Sequence, residues 1–552
     1  MDLTLAHSDR WHARYNCRVS VPMTDARAVS LRISVEADAT YYLSSKRELL
    51  QLVGKADPPP LVGRFIVVEQ KGECYKLDFP WATRLSLAVT AKGVDVATTL
   101  FDRRRCGHLL LSSPDASSGR ENYELAIHQD KLDSPSCCLW LEPYPRGALA
   151  AICLTDHADF DTVTKLEPIT DLFARNQFLF TKSVFPQSDP AGHRNEIGLD
   201  QPEYRKVIDR LHAGGTEIAF HGFGPRNRTP SMDECIKRVK AMEGYEPRTW
   251  IDHGHGSYLF AEDARLADGS SLTAFLGDHG VNNYWSYCDV WNNPFRDLSS
   301  WARRRDVDVI LDLFAGFATF GLRSPAMLAY VSVHALRNVI SDRPYLLLKK
   351  NFLSGRAWRM VPRYQRLFGT LRASPIPMYN LRGQHFLQGE GDLCVFDTLA
   401  LNHLAAQLRP SVVDRLIGTS GLLLGHCYLC ADRAGVSRKC FSTRGHKTAL
   451  DPLFVRSVEY IGDCQERGEV VSLSFRELRA SLAAFSGTVA SRTANGWTID
   501  RQGKTVAVLA GAKDMVSRLK CDKAQKWIRN ELAFIEIGSN ADSPCTVIQH
   551  DD

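Results

Sequence analysis

Residues 148–154, ALAAICL, carry no charge and run directly into Thr155-Asp156-His157-Ala158-Asp159-Phe160-Asp161. An apolar run of this length fits a strand buried on both faces, the habit of parallel sheets in α/β folds. The alternation continues downstream. ITDLFARN and PEYRKVIDRLHAGG read as amphipathic helices, while FLFTKSVF and TEIAFHGFG read as strands. Such a chain is expected to build a parallel sheet or barrel with its chemistry at the strand ends.

A length of 552 residues leaves room for more than this one unit. Residues 1–145 hold short β-type runs (VSLRISV, RFIVVEQ, RLSLAVTA, CCLWLEP) between Asp, Pro, Gly and Ser clusters. They read as a β-rich, sandwich-like domain closed by the turn-rich Pro143-Tyr144-Pro145-Arg146-Gly147. The α/β unit is expected over 146–455. A helix (SFRELRASLAAF) and later β-type runs make 456–552 a small α+β module.

The 68 Lys+Arg against 63 Asp+Glu give a net charge of +5, too small to mark a nucleic-acid binder. Fifteen scattered cysteines and a beginning, MDLTLAHSDRWHARY, without a basic-then-apolar pattern favour a reducing, cytoplasmic setting. The most apolar region, 309–340, is interrupted by Asp312 and Arg323, so no transmembrane segment is expected.

Four clusters could carry chemistry. The first is Asp156, His157, Asp159 and Asp161. Three carboxylates and an imidazole this close repel one another unless a cation or solvent compensates. A divalent metal with a general base accounts for them; a solvated loop whose acids cap the next helix is the plainer alternative. The second is the strand EIAF ending on His221, and the third is the loop Asp252-His253-Gly254-His255. The fourth is LLLG ending on His426.

In order and setting these motifs resemble the NodB-homology polysaccharide deacetylases (carbohydrate esterase family 4). The resemblance covers about 146–455 and implies a distorted, incomplete (β/α) barrel flanked by the two smaller domains. It also implies a metal-dependent hydrolase that removes an N-acyl (acetyl) group from an amino sugar in a glycan or glycolipid. Asp156 corresponds to the catalytic base, His221 to the first metal histidine and His426 to the general acid. FLFTKSVF resembles the second strand of that fold.

Two positions depart from the family pattern. His157 stands where the metal-binding Asp would fall, and Pro225 where the second metal His would fall. His157, with His253 or His255, could restore three ligands around His221, or Asp159 could supply a carboxylate. The expected metal set is thus His157, Asp159, His221 and His253, holding a divalent ion with zinc favoured. Asp252, His255 and Trp285 are the expected substrate contacts. Because of Pro225, a barrel that binds glycan without turning it over is the alternative.

Cys427, Cys430, Cys440 and His446 make a C-x2-C-x9-C-x5-H array whose spacing fits buried thiols better than a structural zinc. Nine basic residues from Arg343 to Arg382 are interleaved with aromatics, and no acid interrupts them. Segment 343–382 is either a solvated face or a surface for an anionic glycan or lipid; nucleic acid is not the expected partner.

Overall fold

The computed structural model describes the chain between residues 2 and 549. Outside the described residues lie 23–27, 57–63, 80–85, 103–119, 189–196, 224–230, 252–265, 291–377, 381–393, 432–439, 502–506, 538–544 and several shorter stretches.

Among the described residues the α/β unit is built on eight parallel strands: β1 (Ala150–Asp156), β2 (Thr181–Val184), β3 (Glu217–His221), β4 (Thr249–Ile251), β5 (Asn283–Val290), β6 (Cys394–Ala400), β7 (Leu422–Cys427) and β8 (Val470–Leu473). Pairing runs β2-β3-β4-β5-β6-β7-β1, and β1 pairs again with β2, so the sheet curls until its ends meet. The seam is uneven. β2 meets β1 only at Thr155 and Asp156, whereas β8 pairs with Ala150–Cys153. β1 and β7 are buried along their whole length, as their apolar runs require.

Helices cover the outside. In α1 (Val163–Arg175), Leu166, Ile169, Leu172 and Phe173 fall on one buried face. α2 (Pro202–Ala213) starts with Pro at its first turn, and its end is followed by Gly214 and Gly215, with Gly215 at φ +92°. α3 (Met232–Ala241) opens on a Ser231/Glu234 capping box. α4 (Pro452–Glu466) is capped by Asp451, and α5 (Phe475–Gly487) by a Ser474/Glu477 box. The α/β unit therefore runs past 455, because β8 and α5 complete its seam and core.

The described residues between 2 and 132 form two antiparallel sheets of seven and four strands. Ile66, Val68, Leu77, Phe79 and Ile127 of one sheet and its flank pack on Leu87, Val94 and Val96 of the other. The opposite face of the larger sheet brings Leu43, Phe65 and Val67 against Trp140, Trp497 and Phe534.

The strand Trp140–Glu142 does not belong with the sandwich that precedes it. It pairs antiparallel with Val508–Ala510 and forms the edge of a four-stranded sheet with Leu532–Ile537 and Ala524–Arg529. The boundary expected at 145 thus falls a few residues late, since the apolar run CLWLEP is completed by the far end of the chain. Arg47 clamps the three parts together. Its guanidinium reaches Glu142 at 2.7–3.0 Å and Ser420 at 2.6 Å, all buried. No helix among the described residues is long and apolar enough to cross a membrane.

Candidate metal centre

β1 ends on Asp156, His157 continues extended, and a 3-10 turn at Ala158–Phe160 leads into α1 through Thr162. This turn lies at the C-terminal edge of the sheet. His221 closes β3, and His426 sits opposite Thr155 where β7 pairs with β1. Asp156, His157, Asp159 and Asp161 are all buried, so the acids do not form a solvated loop, and Thr162 takes the N-cap position of α1.

His157, Asp159 and His221 each offer a ligand atom, and these atoms lie within 4.8 Å of one another. Asp159 Oδ2 is 2.9 Å from His221 Nε2 and 3.9 Å from His157 Nδ1. Ligand atoms on a tetrahedral ion with ~2.0–2.2 Å bonds stand roughly 3.3–3.6 Å apart, and these spacings straddle that value. His157 Nε2 is buried with no hydrogen-bond partner among the described residues. Burial, with His426 and His221 adding to it, pushes the His157 imidazole well below its usual range. A neutral imidazole keeps the lone pair that a cation needs. The donor set therefore fits a divalent ion, with zinc compatible among several.

Beneath the triad lies a second cluster. Lys182, in the middle of β2 and fully buried, places Nζ 2.6 Å from Asp156 Oδ2 and 2.8 Å from Asp161 Oδ2. Asp156 Oδ1 accepts the Leu429 N–H at 2.7 Å, and Tyr204 donates to Asp161 Oδ2 at 2.6 Å. Burial pushes the Asp156 carboxyl up to about 6, with Lys182 pulling it back. Burial disfavours the Lys182 ammonium, but the two carboxylates outweigh this and raise it above its ordinary value. Asp156 thus has both oxygens engaged, and Asp159 is the carboxylate that faces the histidines. Lys182 was not legible as a site residue, although a single charge inside FLFTKSVF already demands a buried partner.

Aromatic rings wall the triad. His426 stacks on His157 with centroids 3.8 Å apart. Trp285 meets both histidines edge-on at 4.8 and 4.9 Å, its Nε1 held by Thr398 Oγ1 at 2.9 Å. Tyr428, half-buried, lies 5.0 Å from His157, and Phe185 4.8 Å from His221. Cys427, Cys430 and Cys440 are buried free thiols that burial pushes well above their usual range. They join no metal-ligating group among the described residues. Asp252, His253, His255, Pro225, His446 and the nine charges of segment 343–382 lie outside the described residues.

No family model matches the chain, and no curated protein matches it. Solved structures align weakly. One, a Kfla1895 variant in complex with isomaltose, covers 50% of this chain and 49% of its own at 11% identity and TM-score 0.17. Another, in complex with cyclobis-(1->6)-alpha-nigerosyl, covers 50% and 45% at 13% identity and TM-score 0.17. The chain thus spans about half the length of each, and at those scores neither alignment carries an argument about fold or activity.

Proposed function

We propose that the protein is a metal-dependent hydrolase that removes an N-acyl group from an amino sugar in a glycan or glycolipid. The observation that carries this reading is the buried His157–Asp159–His221 triad at the C-terminal edge of the parallel strands, with His426 stacked against it. The choice of an acylated amino sugar rests on the resemblance of the four strand-end motifs. His157, Asp159 and His221 would hold the ion, which when bound polarises an amide carbonyl and lowers the pKa of a water.

The chain's own residues do the rest. Asp159 Oδ2 and His221 Nε2, 2.9 Å apart, would both turn to the ion when it is bound. A ring nitrogen of His426 would take the proton of the attacking water and pass it to the departing amine as the C–N bond breaks. Trp285 and Tyr428 exclude water, and the half-buried Tyr428 is the ring left to meet a sugar. Asp156 enters as the charge partner of Lys182, since both of its oxygens are already bonded.

The test is acyl release from a panel of N-acylated amino sugars, with the full chain loaded with Zn2+ or Co2+ or stripped by chelator. Release that needs the ion and is lost in both His221→Ala and His426→Ala supports the reading. Release indifferent to the ion and to both substitutions sinks it.

One observation favours a second reading, a glycan-binding barrel without turnover. Asp159 Oδ2 and His221 Nε2 already satisfy each other at 2.9 Å without an ion. A purified protein that holds no metal yet retains a glycan would decide for it.

A further inference from the structure

The geometry points to Lys182 as a positioning residue for the metal triad: one ammonium ties the two ends of the 156–161 turn and so sets where His157 and Asp159 present their ligand atoms. This rests on the metal-centre reading above. Asp156 and Asp161 are five residues apart in the chain, yet their Oδ2 atoms share Lys182 Nζ at 2.6 and 2.8 Å. The third ammonium direction faces the His157 carbonyl oxygen at 3.5 Å. Each Nζ proton thus points at the backbone or side chain of the turn, and the two prospective ligands lie between the tied ends.

The surroundings lock this chord in place. Ser183, the next residue on β2, donates from Oγ to the Asp156 carbonyl oxygen at 2.9 Å. The Leu429 N–H holds Asp156 Oδ1, and Tyr204 holds Asp161 Oδ2 from α2. The His157 N–H bonds the Cys427 carbonyl oxygen at 3.0 Å, joining the turn to β7. All three charged groups are essentially removed from solvent. Without the cation, two buried carboxylates would face each other across the turn and drive it open. Lys182 is not a nucleophile here, because an ammonium clasped by two carboxylates keeps no lone pair to attack with.

The test reads metal binding rather than turnover. Co2+ is titrated into the full chain, following its visible absorption, and then displaced by Zn2+. The variant is Lys182→Met/Asp156→Asn, which removes the clasp while leaving the net charge of the three groups unchanged. If Lys182 positions the ligands, this variant melts cooperatively like the parent but binds Co2+ 10–100-fold more weakly with an altered absorption band. A folded variant with the parent's affinity and band overturns the proposal. If the double variant does not fold, Tyr204→Phe decides: several-fold weaker Co2+ binding supports the chord, and unchanged binding overturns it. A parent protein that takes up neither ion fails differently, and overturns the metal reading together with this proposal.

Discussion

The imidazole of His426 lies almost flat on that of His157, the rings 3.8 Å apart at centroid and inclined by 24°. Two cationic rings at that distance in a dry pocket would repel strongly, and burial already holds His157 in its neutral form. In the proposed hydrolase the His157 lone pair would serve the ion and His426 the proton transfer. His426→Ala is expected to lower acyl release by about 10²–10⁴-fold while leaving the metal content unchanged. Steady-state kinetics and elemental analysis on the same preparation check both halves.

His221 has a different fate. It is both a prospective ligand and the partner of Asp159. His221→Ala is expected to cut the bound ion from about one per chain to a small residue. Chelator should then lower the melting temperature of the parent and leave that of the variant where it was, because only the parent has a ligand to lose. Differential scanning calorimetry with and without chelator measures this.

Arg47 and Glu142 are an ion pair with side chains 0% and 1% exposed, and Glu142 also accepts from Trp140 Nε1 at 2.9 Å. Arg47→Met strands a buried carboxylate and is expected to cost about 3–5 kcal/mol. Adding Glu142→Gln should recover most of that loss. Urea unfolding of the single and double variants checks it; equal midpoints would show that the charge is not the source.

Acid should loosen the sandwich through His128. Its ring stacks on His12, 5.3 Å away, and His12 in turn meets Asp130 at 2.7 Å. Burial lowers the His128 pKa from 6.5 to about 4, with Asp78 opposing this and His12 adding to it. The unfolded chain therefore binds the proton that the folded chain refuses. This contribution to stability is present above about pH 6.5 and is lost as pH falls towards 4. The urea midpoint should drop between pH 7 and pH 5, and His128→Gln should flatten that drop.

Some of this could be read in the chain itself. ALAAICL has to be buried on both faces, and the acids and imidazole that follow it do lie at a strand end. EIAFH and LLLGH bring their histidines to the same edge because parallel strands share one polarity. Sequence could not say which carboxylate faces the histidines. Asp156 and Asp159 differ only in what occupies their oxygens, and Lys182 and the Leu429 N–H come from distant segments. β8 is illegible in the sequence for a related reason: VVSL is four residues long, and only its pairing with Ala150–Cys153 makes it part of the seam.

The strand at Trp140–Glu142 also imposes an order on biosynthesis. Its partner, Val508–Ala510, is translated about 370 residues later, which at ~5–20 residues per second is a delay of roughly 20–70 s. Throughout that interval Trp140 and Leu141 are on hand with no sheet to join, while the sandwich ahead of them already has every strand it needs. The nascent chain must therefore carry an unsatisfied apolar edge across the whole synthesis of the α/β unit. Only when the strands after residue 506 emerge does Trp140–Glu142 find its place beside Val508–Ala510.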